Sequence, residues 1–261
     1  FALCCCLKNF LQGIELMICS LILGRKGSVG FPGKNLHVVN GHPLAWYPMT
    51  AAIQTPEIDR NFISTDDPVL MDLGHAIGFD VIERPPHLAT ADALGDDAYK
   101  HGYVEICDRL NVKPDLLVLL FCNAPTIDHK LISKGINLLR ENPSADSAVT
   151  VSKYNMFSPV RARRVAEDGT LQPYIPFEHH PNADAINCDR DSQGDVWFAD
   201  VAVSVIRPRN FDNMENGLLP QRWMGKNILP IYNEAGLDLD YEWQLGQVDW
   251  WIKNRLNLGI N

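Results

Sequence analysis

The residues best suited to chemistry lie in one loop, residues 24–35, which reads Gly-Arg-Lys-Gly-Ser-Val-Gly-Phe-Pro-Gly-Lys-Asn. The loop follows the apolar run Ile18–Leu23 directly, and it carries four glycines and three cations, Arg25, Lys26 and Lys34. Glycines let backbone N–H groups approach phosphate oxygens closely, and the cations neutralise phosphate charge. The loop is therefore predicted to bind a triphosphate.

This loop differs from two familiar phosphate-binding patterns. Lys34 is followed by Asn35, so the Gly-Lys-Ser/Thr ending of the P-loop is absent, and Pro32 interrupts the helix start of a dinucleotide fingerprint. A solvated basic turn is the alternative interpretation. The buried strand predicted just before the loop argues against it.

A second candidate group is the carboxylate pair Asp238 and Asp240 in the segment Gly-Leu-Asp-Leu-Asp. In an extended segment, residues i and i+2 point to the same side of the chain. Mg²⁺ prefers oxygen ligands and commonly binds one or two carboxylates together with substrate phosphates. We expect a magnesium site here if the pair lies near loop 24–35. A separation above about 10 Å would exclude it, because Mg–O distances are near 2 Å.

Strand and helix patterns alternate from residue 18 to residue 151. Strands are predicted at residues 18–23, 60–65, 79–82, 115–120 and 147–151, and helices at 43–54, 68–77, 92–110 and 128–141. The alternation predicts a three-layer α/β/α fold with a mostly parallel, Rossmann-like sheet. Ligands of such sheets bind beyond the carboxyl ends of the strands, where loop 24–35, Asp66 and Asn123 are expected.

The alternation of strand and helix patterns ends after residue 152. Residues 153–200 are rich in Pro, Arg, Asp and His and predict short strands and hairpins, as an inserted or dimerising arm. A strand at 200–206 and a helix at 241–256 follow. We expect residues 17–261 to form one domain. Residues 1–16 are interpreted as a leader, because Met17 directly precedes the first strand; an extra N-terminal helix is the alternative.

Bulk properties limit the classes of partner. The chain has 261 residues, 46% of them hydrophobic, and a net charge of −9, which argues against a nucleic-acid partner. The apolar stretch before residue 24 is broken by polar and charged residues, so no membrane span is expected. Seven cysteines without a C-x-x-C pair suggest neither a zinc site nor a disulfide framework. A reducing, cytoplasmic compartment is the simplest expectation.

Taken in order, four segments resemble the acylneuraminate cytidylyltransferase (CMP-sialic acid synthetase) family. They are the loop at residues 23–35, Ile-Ser-Thr-Asp-Asp at 63–67, Glu-Arg-Pro-Pro-His-Leu-Ala-Thr at 83–90, and Leu-Asp-Leu-Asp at 237–240. The resemblance implies a nucleotide-diphospho-sugar transferase-like fold and a homodimer. It also implies an enzyme that joins CTP to a sialic acid-like nonulosonic acid, with Mg²⁺, to give a CMP-sugar and pyrophosphate.

The resemblance also implies roles for individual residues. Asp238 and Asp240 would bind Mg²⁺, and Arg25 and Lys34 would be catalytic by stabilising charge on the reacting phosphates. The residues expected to bind the nucleotide are Gly24, Arg25, Ser28, Lys34, Asn35, Asp66 and Arg84.

Two segments depart from the family pattern. Members usually carry Gln-Pro-Thr-Ser-Pro after the central strand, where this chain has Phe-Cys-Asn-Ala-Pro at residues 121–125. Residues 91–97 also lack the small hydroxyl run expected near cytosine. Another sugar, another base and a catalytically silent nucleotide-binding relative therefore remain alternatives. Asn123 and Arg190 are candidates for acceptor contacts on position alone.

Overall fold

The structure, a computed structural model, describes residues 16–154, 157–181 and 183–256, without the side chains of residues 190 and 191. The expected leader, residues 1–16, therefore lies outside the described residues apart from Leu16, which packs against the core.

A seven-stranded sheet forms the centre of the fold. In chain order the strands are β1 (Ile18–Leu23), β2 (Val38–Val39), β3 (His42–Pro43), β4 (Arg60–Thr65), β5 (Asp80–Glu83), β6 (Leu116–Phe121), β7 (Ser147–Lys153), β8 (Arg163–Val165), β9 (Leu171–Pro173), β10 (Trp197–Ile206) and β11 (Ile228–Asn233). The central sheet has the order β11-β7-β10-β6-β1-β4-β5. Only β10 is antiparallel to its neighbours, β6 and β7. The short pairs β2–β3 and β8–β9 are antiparallel and lie outside this sheet.

Helices cover both faces of the sheet. They are α1 (Trp46–Ile53), α2 (Pro68–Ile77), α3 (Gly95–Leu110), α4 (His129–Glu141), α5 (Arg209–Asp212) and α6 (Leu245–Asn254). Successive residues of a strand point to opposite faces. In β1, Ile18 and Ile22 therefore pack with residues of α1, α2 and α4, whereas Cys19 and Leu21 pack with residues of α3. The predicted three-layer α/β/α fold is confirmed.

The central strands bring separate parts of the sequence to one edge. All six residues of β1 are buried, which explains its nearly continuous apolar sequence. β1 pairs in parallel with β6, and Leu23 lies opposite Phe121. Both strands therefore end at the same edge, from which loop 24–35 and Asn123 emerge side by side.

Helix starts follow local chemistry. Asp67 caps α2 by accepting the N–H of Val69 at 3.0 Å, and Pro68 occupies the first turn. Asp128 caps α4 by accepting the N–H of Leu131 at 2.9 Å. Both helices have the bounds or nearly the bounds predicted.

Other boundaries differ from the expectations. The helices α1, α3 and α6 start later than predicted, at Trp46, Gly95 and Leu245. The β2–β3 pair and the edge strand β11 were not predicted at all. Residues 153–200 contain the expected hairpin, β8–β9, with several short 3₁₀ turns, and their part in dimerisation stays a prediction. No helix among the described residues is long and apolar enough to cross a membrane.

Candidate active site

A cleft of about 640 Å³ opens where β1 and β6 end. Its lining combines residues of loop 24–35, called the phosphate loop below, with residues of the segment after β5. The acidic segment, residues 236–240, also contributes to it. The predicted site residues in its lining are Gly24, Arg25, Ser28, Lys34, Asn35, Arg84, Asn123 and Asp240. Residues far apart in the sequence thus meet at the edge expected for a ligand of a parallel sheet.

The phosphate loop is tied at both ends. The buried Asn35 donates from its side-chain amide to the backbone oxygen of Arg25 at 3.2 Å. The Asp66 carboxylate accepts the backbone N–H of Lys26 at 2.8 Å. Gly33 has φ +73°, a conformation that suits glycine, and leads into the 3₁₀ turn Lys34–Leu36. These contacts hold the loop in shape before a ligand arrives, which lowers the ordering cost of binding.

Lys34 and Asp240 form an ion pair across the cleft. The Lys34 Nζ lies 2.6 Å from the Asp240 Oδ1, and the Lys34 side chain is only 12% exposed. Gly30 of the same loop lies so close to this segment that an added Cβ would approach the Asp240 backbone oxygen to 2.7 Å. The acidic segment therefore packs directly on the phosphate loop at Asp240.

Asp238 is held by Asn123, which donates its side-chain amide to the Asp238 Oδ1 and to the backbone oxygen of Leu239. Asp238 itself lines a neighbouring groove of about 890 Å³, so the two carboxylates border adjacent cavities rather than one. Although Asp238 is an exposed residue by surface area, desolvation by the surrounding protein raises its pKa to about 6; the charge of Asp240 adds to the rise and Lys34 opposes it.

Burial is the main cause of the raised pKa of Asp238, and the nearby negative charge of Asp240 adds to it. Two carboxylates that repel each other beside a phosphate loop suit Mg²⁺, whose charge would relieve the repulsion. No group of three or more His, Cys, Asp or Glu among the described residues could hold a metal ion. A magnesium ion held by these two carboxylates would need phosphate oxygens and water at its remaining coordination positions, and its binding here stays a prediction.

Arg84 brings a buried positive charge to the same cleft. Its side chain is 5% exposed, and its guanidinium donates to the Ser64 hydroxyl at 3.2 Å and the Ser64 backbone oxygen at 2.5 Å. Desolvation lowers the pKa of Arg84, and the nearby Cys122 and Asp66 oppose this. Because both contacts go to neutral oxygens, the charge remains available to an anionic ligand.

Three predicted site residues are not part of this lining: Asp238 borders the neighbouring groove, and the other two are Asp66 and Arg190. Asp66 does not border the cleft; it lines a smaller adjacent depression with Arg84 and binds the loop from behind. Direct contact of Asp66 with a nucleotide stays a prediction. The Arg190 side chain is not among the described ones, so its acceptor contact also stays a prediction.

Sequence reasoning noted Phe121 and residues 91–97 only as departures from the family pattern and did not predict that they belong to an apolar wall of the cleft. This wall borders the same cleft as the cationic loop and is formed by Leu23, Leu88, Ala91, Ala93, Leu94, Ala98 and Phe121. Tyr241, directly after the acidic pair, also lines the cleft and was not singled out. No local pattern marks these residues, because they come from separate segments that only the fold brings together.

The match to a family of known proteins agrees with this geometry. Residues 19–168 of the 261 match the sequence model of a family described as cytidylyltransferase. More than half of the chain is covered, and the chain belongs to this family.

Individual relatives are distant. The chain is 23% identical over 238 residues to an N-acylneuraminate cytidylyltransferase of Oncorhynchus mykiss, covering 90% of this chain and 51% of the relative. It is 29% identical over 133 residues to a 3-deoxy-manno-octulosonate cytidylyltransferase of Maricaulis maris, covering 51% and 48%. The chain thus spans about half the length of these relatives.

Solved structures share the fold. A CMP:2-keto-3-deoxy-manno-octonic acid synthetase complexed with CTP superposes with a TM-score of 0.66 at 20% identity, covering 92% of this chain and all of that one. A 4-diphosphocytidyl-2C-methyl-D-erythritol synthase from Anaerococcus prevotii gives a TM-score of 0.62 at 11% identity, covering 92% and 97%. At these identities the likeness shows the fold alone.

Proposed function

We propose that this protein transfers the cytidylyl group of CTP to an acidic sugar of the sialic acid or octulosonate class and releases pyrophosphate. The observation that carries the proposal is that the Arg25–Lys34 loop and Asp240 border one cleft, with Lys34 paired to Asp240, while Asp238 lies two residues away in the adjoining groove. Membership of the cytidylyltransferase family supports the reaction type, and the names of the relatives support the class of acceptor.

The proposed reaction is a displacement at the α-phosphorus of CTP. A hydroxyl oxygen of the sugar attacks the α-phosphorus, the bond to the β-phosphate oxygen breaks, and pyrophosphate leaves with the electron pair. The hydroxyl proton passes to solvent or to a carboxylate. Because negative charge builds on the phosphate oxygens, positive groups fixed near them lower the barrier.

The residues of this chain have separate tasks in that reaction. Lys34 and Arg25 neutralise the triphosphate from the loop, and Arg84 adds a buried positive charge to the same cleft. Asp238 and Asp240 would hold Mg²⁺, which supplies further charge neutralisation at the phosphates when bound. The apolar wall suits the face of a base, and it bears no charge that would favour one base over another.

The test is pyrophosphate release by the purified protein. CTP, UTP, ATP and GTP are each combined with N-acetylneuraminate, 3-deoxy-manno-octulosonate and 8-amino-3,8-dideoxy-manno-octulosonate, with Mg²⁺ present. We expect release with CTP and one of these acids, and a CMP-sugar in the mass spectrum. Turnover with none of the pairs, by a sample whose circular dichroism shows it folded, would favour the silent relative. Preference for another base would correct the nucleotide.

Removing the metal gives a second test of the same site. Excess EDTA should reduce turnover by at least about 100-fold, because two carboxylates would then face the triphosphate without the cation that separates their charges. Adding Mg²⁺ back should restore the rate. Turnover that is indifferent to EDTA would remove the metal role of Asp238 and Asp240.

A further inference from the structure

The strand β10 is interrupted by a bulge whose backbone is strained. Its pairing with β7 shifts register between Ala199 and Ser204, and Val201 in this interval has φ +50°. Positive φ is an outlier for a β-branched residue, and such strain persists only where surrounding contacts impose it. The bulge therefore indicates that surrounding contacts hold a neighbouring side chain in a fixed position.

The side chain that the bulge redirects is Asp200. Its carboxylate accepts hydrogen bonds from the hydroxyls of Thr150 and Ser152 on β7, and from the backbone N–H of Ala202 at 3.1 Å. Bulges commonly re-aim a side chain in this way. The carboxylate thereby orients the Ser152 hydroxyl, whose hydrogen points towards Asp200, whereas the Thr150 hydroxyl also lies 3.3 Å from the Val203 backbone oxygen.

One of these hydroxyls is connected to the acidic segment. With its hydrogen directed at Asp200, the Ser152 oxygen accepts the backbone N–H of Gly236 at 2.9 Å. Tyr154, two residues along β7, donates its hydroxyl to the Gly236 backbone oxygen at 3.1 Å. Gly236 also packs against Asp200 so closely that any Cβ would overlap the carboxylate. Gly236, three residues after the end of β11, is thus held through both its N–H and its backbone oxygen.

Gly236 lies two residues before Asp238 and four before Asp240. Beyond Gly236, the Leu237 N–H is accepted by the Thr126 hydroxyl at 3.1 Å and the Leu239 N–H by the Asn123 backbone oxygen at 3.0 Å. The segment is therefore anchored by three fixed acceptors in a row, and Asp200 controls the first of them through Ser152.

We propose that Asp200 is a positioning residue for the carboxylates Asp238 and Asp240, acting through Ser152 and Gly236. The inference rests on the proposed function for its purpose, since the pair needs a fixed position in order to bind metal beside the triphosphate. The contacts themselves do not depend on that function. Outer groups that orient metal ligands commonly change metal affinity 10–100-fold when they are removed.

The first experiment needs no activity. Amide hydrogen exchange is compared in the wild type, Asp200→Ala, Ser152→Ala and Asp200→Asn, with Asp168→Ala as the matched control. Asp168 also accepts from a hydroxyl and a backbone N–H, both of Thr170, but in the β8–β9 turn. Exchange at Gly236, Leu237 and Leu239 should rise about 10-fold or more in both alanine variants at residues 200 and 152.

Asp200→Asn keeps one acceptor oxygen and should show a smaller rise, while Asp168→Ala should leave these amides unchanged. Exchange in β1 reports the global fold and should stay at the wild-type rate. Should Asp200→Ala fail to fold, Ser152→Ala removes a single hydroxyl and carries the test. Wild-type exchange at residues 236–239 in Ser152→Ala would overturn the proposal.

The second experiment measures metal binding by Mn²⁺ electron paramagnetic resonance in the presence of CTP. Asp200→Ala and Ser152→Ala should each weaken Mn²⁺ binding about 10-fold, and the double variant should be no weaker than the singles, since both changes break one path. CTP affinity without metal should change less than about 2-fold. Unchanged Mn²⁺ affinity would overturn the positioning role, whereas absence of any CTP or Mn²⁺ binding by the wild type would instead count against the proposed function.

Discussion

Lys34 lines the cleft, has a largely buried side chain and contacts the acidic segment. Its loss should therefore reduce the rate of the proposed reaction. Replacing it in Lys34→Ala removes a positive charge from the phosphates and leaves Asp240 unpaired. We expect kcat/KM to fall about 10²–10³-fold, the loss typical of one electrostatic group in a pre-organised site. Stability should change by less than about 1 kcal/mol, because Asp240 is 58% exposed and exposed pairs contribute little.

Lys26→Ala is the matched control for this variant. Lys26 is an exposed lysine of the same loop and does not line the cleft. Its loss should change kcat/KM only a few-fold, through the general charge of the surface. Equal losses in the two variants would show that Lys34 contributes only to that general charge and not to the reaction.

Val201 offers a test of backbone strain that is separate from side-chain packing. In an ordinary strand, glycine is less stable than alanine by roughly 0.5–1 kcal/mol. At φ +50° the order should reverse, because the left-handed conformation costs alanine roughly 1–2 kcal/mol. We therefore expect Val201→Gly to be more stable than Val201→Ala by about 0.5–1 kcal/mol in urea unfolding. The usual order would mean that this backbone is not strained.

At the scale of residues, the sequence predicts the charged groups of the candidate site but not its apolar wall. Glycines and cations in a short loop predict a phosphate ligand by their residue types alone, and the carboxylates Asp238 and Asp240 predict a bound cation. Asn123 was noted by position, but its bond to Asp238 depends on two segments meeting in space. The Asp200 link has no sequence signal, since a bulge is created by pairing between distant strands.

At the scale of elements, strands and helices with strong local patterns were predictable and the edge strand β11 was not. Its sequence, Ile-Leu-Pro-Ile-Tyr-Asn, contains Pro230, which lacks the N–H that a central strand needs. Within the part of the chain that the structure describes, β11 pairs with β7 alone and forms an edge of the sheet. Proline is tolerated on such an edge. The place of β10 between β6 and β7 is likewise a long-range result that no local pattern contains.

Asp146 joins the start of β7 to the segment that leads into β11. Its carboxylate accepts the backbone N–H groups of Lys226 and Asn227, each at 3.0 Å, and pairs with Arg209 at 3.0 Å. Burial alone would raise the pKa of Asp146, but these hydrogen bonds and the Arg209 charge outweigh it and hold the pKa below its usual value.

The stabilisation from Asp146 should therefore depend on pH. A depressed folded-state pKa contributes stability above the unfolded value, near 3.9, and loses it as the pH falls through the folded value. Asp146→Asn should lower the free energy of unfolding by about 1–2 kcal/mol at pH 7, discounted for partial exposure. The difference from wild type in urea midpoints should shrink below about pH 4. A difference that is constant from pH 7 to pH 3 would show that the charge is not involved.

At the scale of the whole molecule, the arm at residues 153–200 is expected to join two copies. Its hairpin places Val165 opposite Leu171, and these side chains are 71% and 69% exposed. Paired apolar side chains on an outward hairpin favour burial against a partner. Sedimentation should show a dimer for the wild type and a monomer for Val165→Lys combined with Leu171→Glu. Val112→Lys, at an exposed site after α3, is the control and should stay dimeric; a monomeric wild type would contradict the expectation.

In the absence of ligands, Lys34 and Asp240 bind each other, so each is blocked from the ligand that it is proposed to bind. A triphosphate that draws Lys34 to itself releases Asp240 for a cation, and a cation on Asp240 releases Lys34 for the triphosphate. Each ligand thus removes a competitor of the other, and linkage requires the benefit to be equal in both directions. Calorimetric titration should show CTP and Mg²⁺ tightening each other's binding by the same factor, beyond their affinity in solution. In Lys34→Ala that excess should shrink.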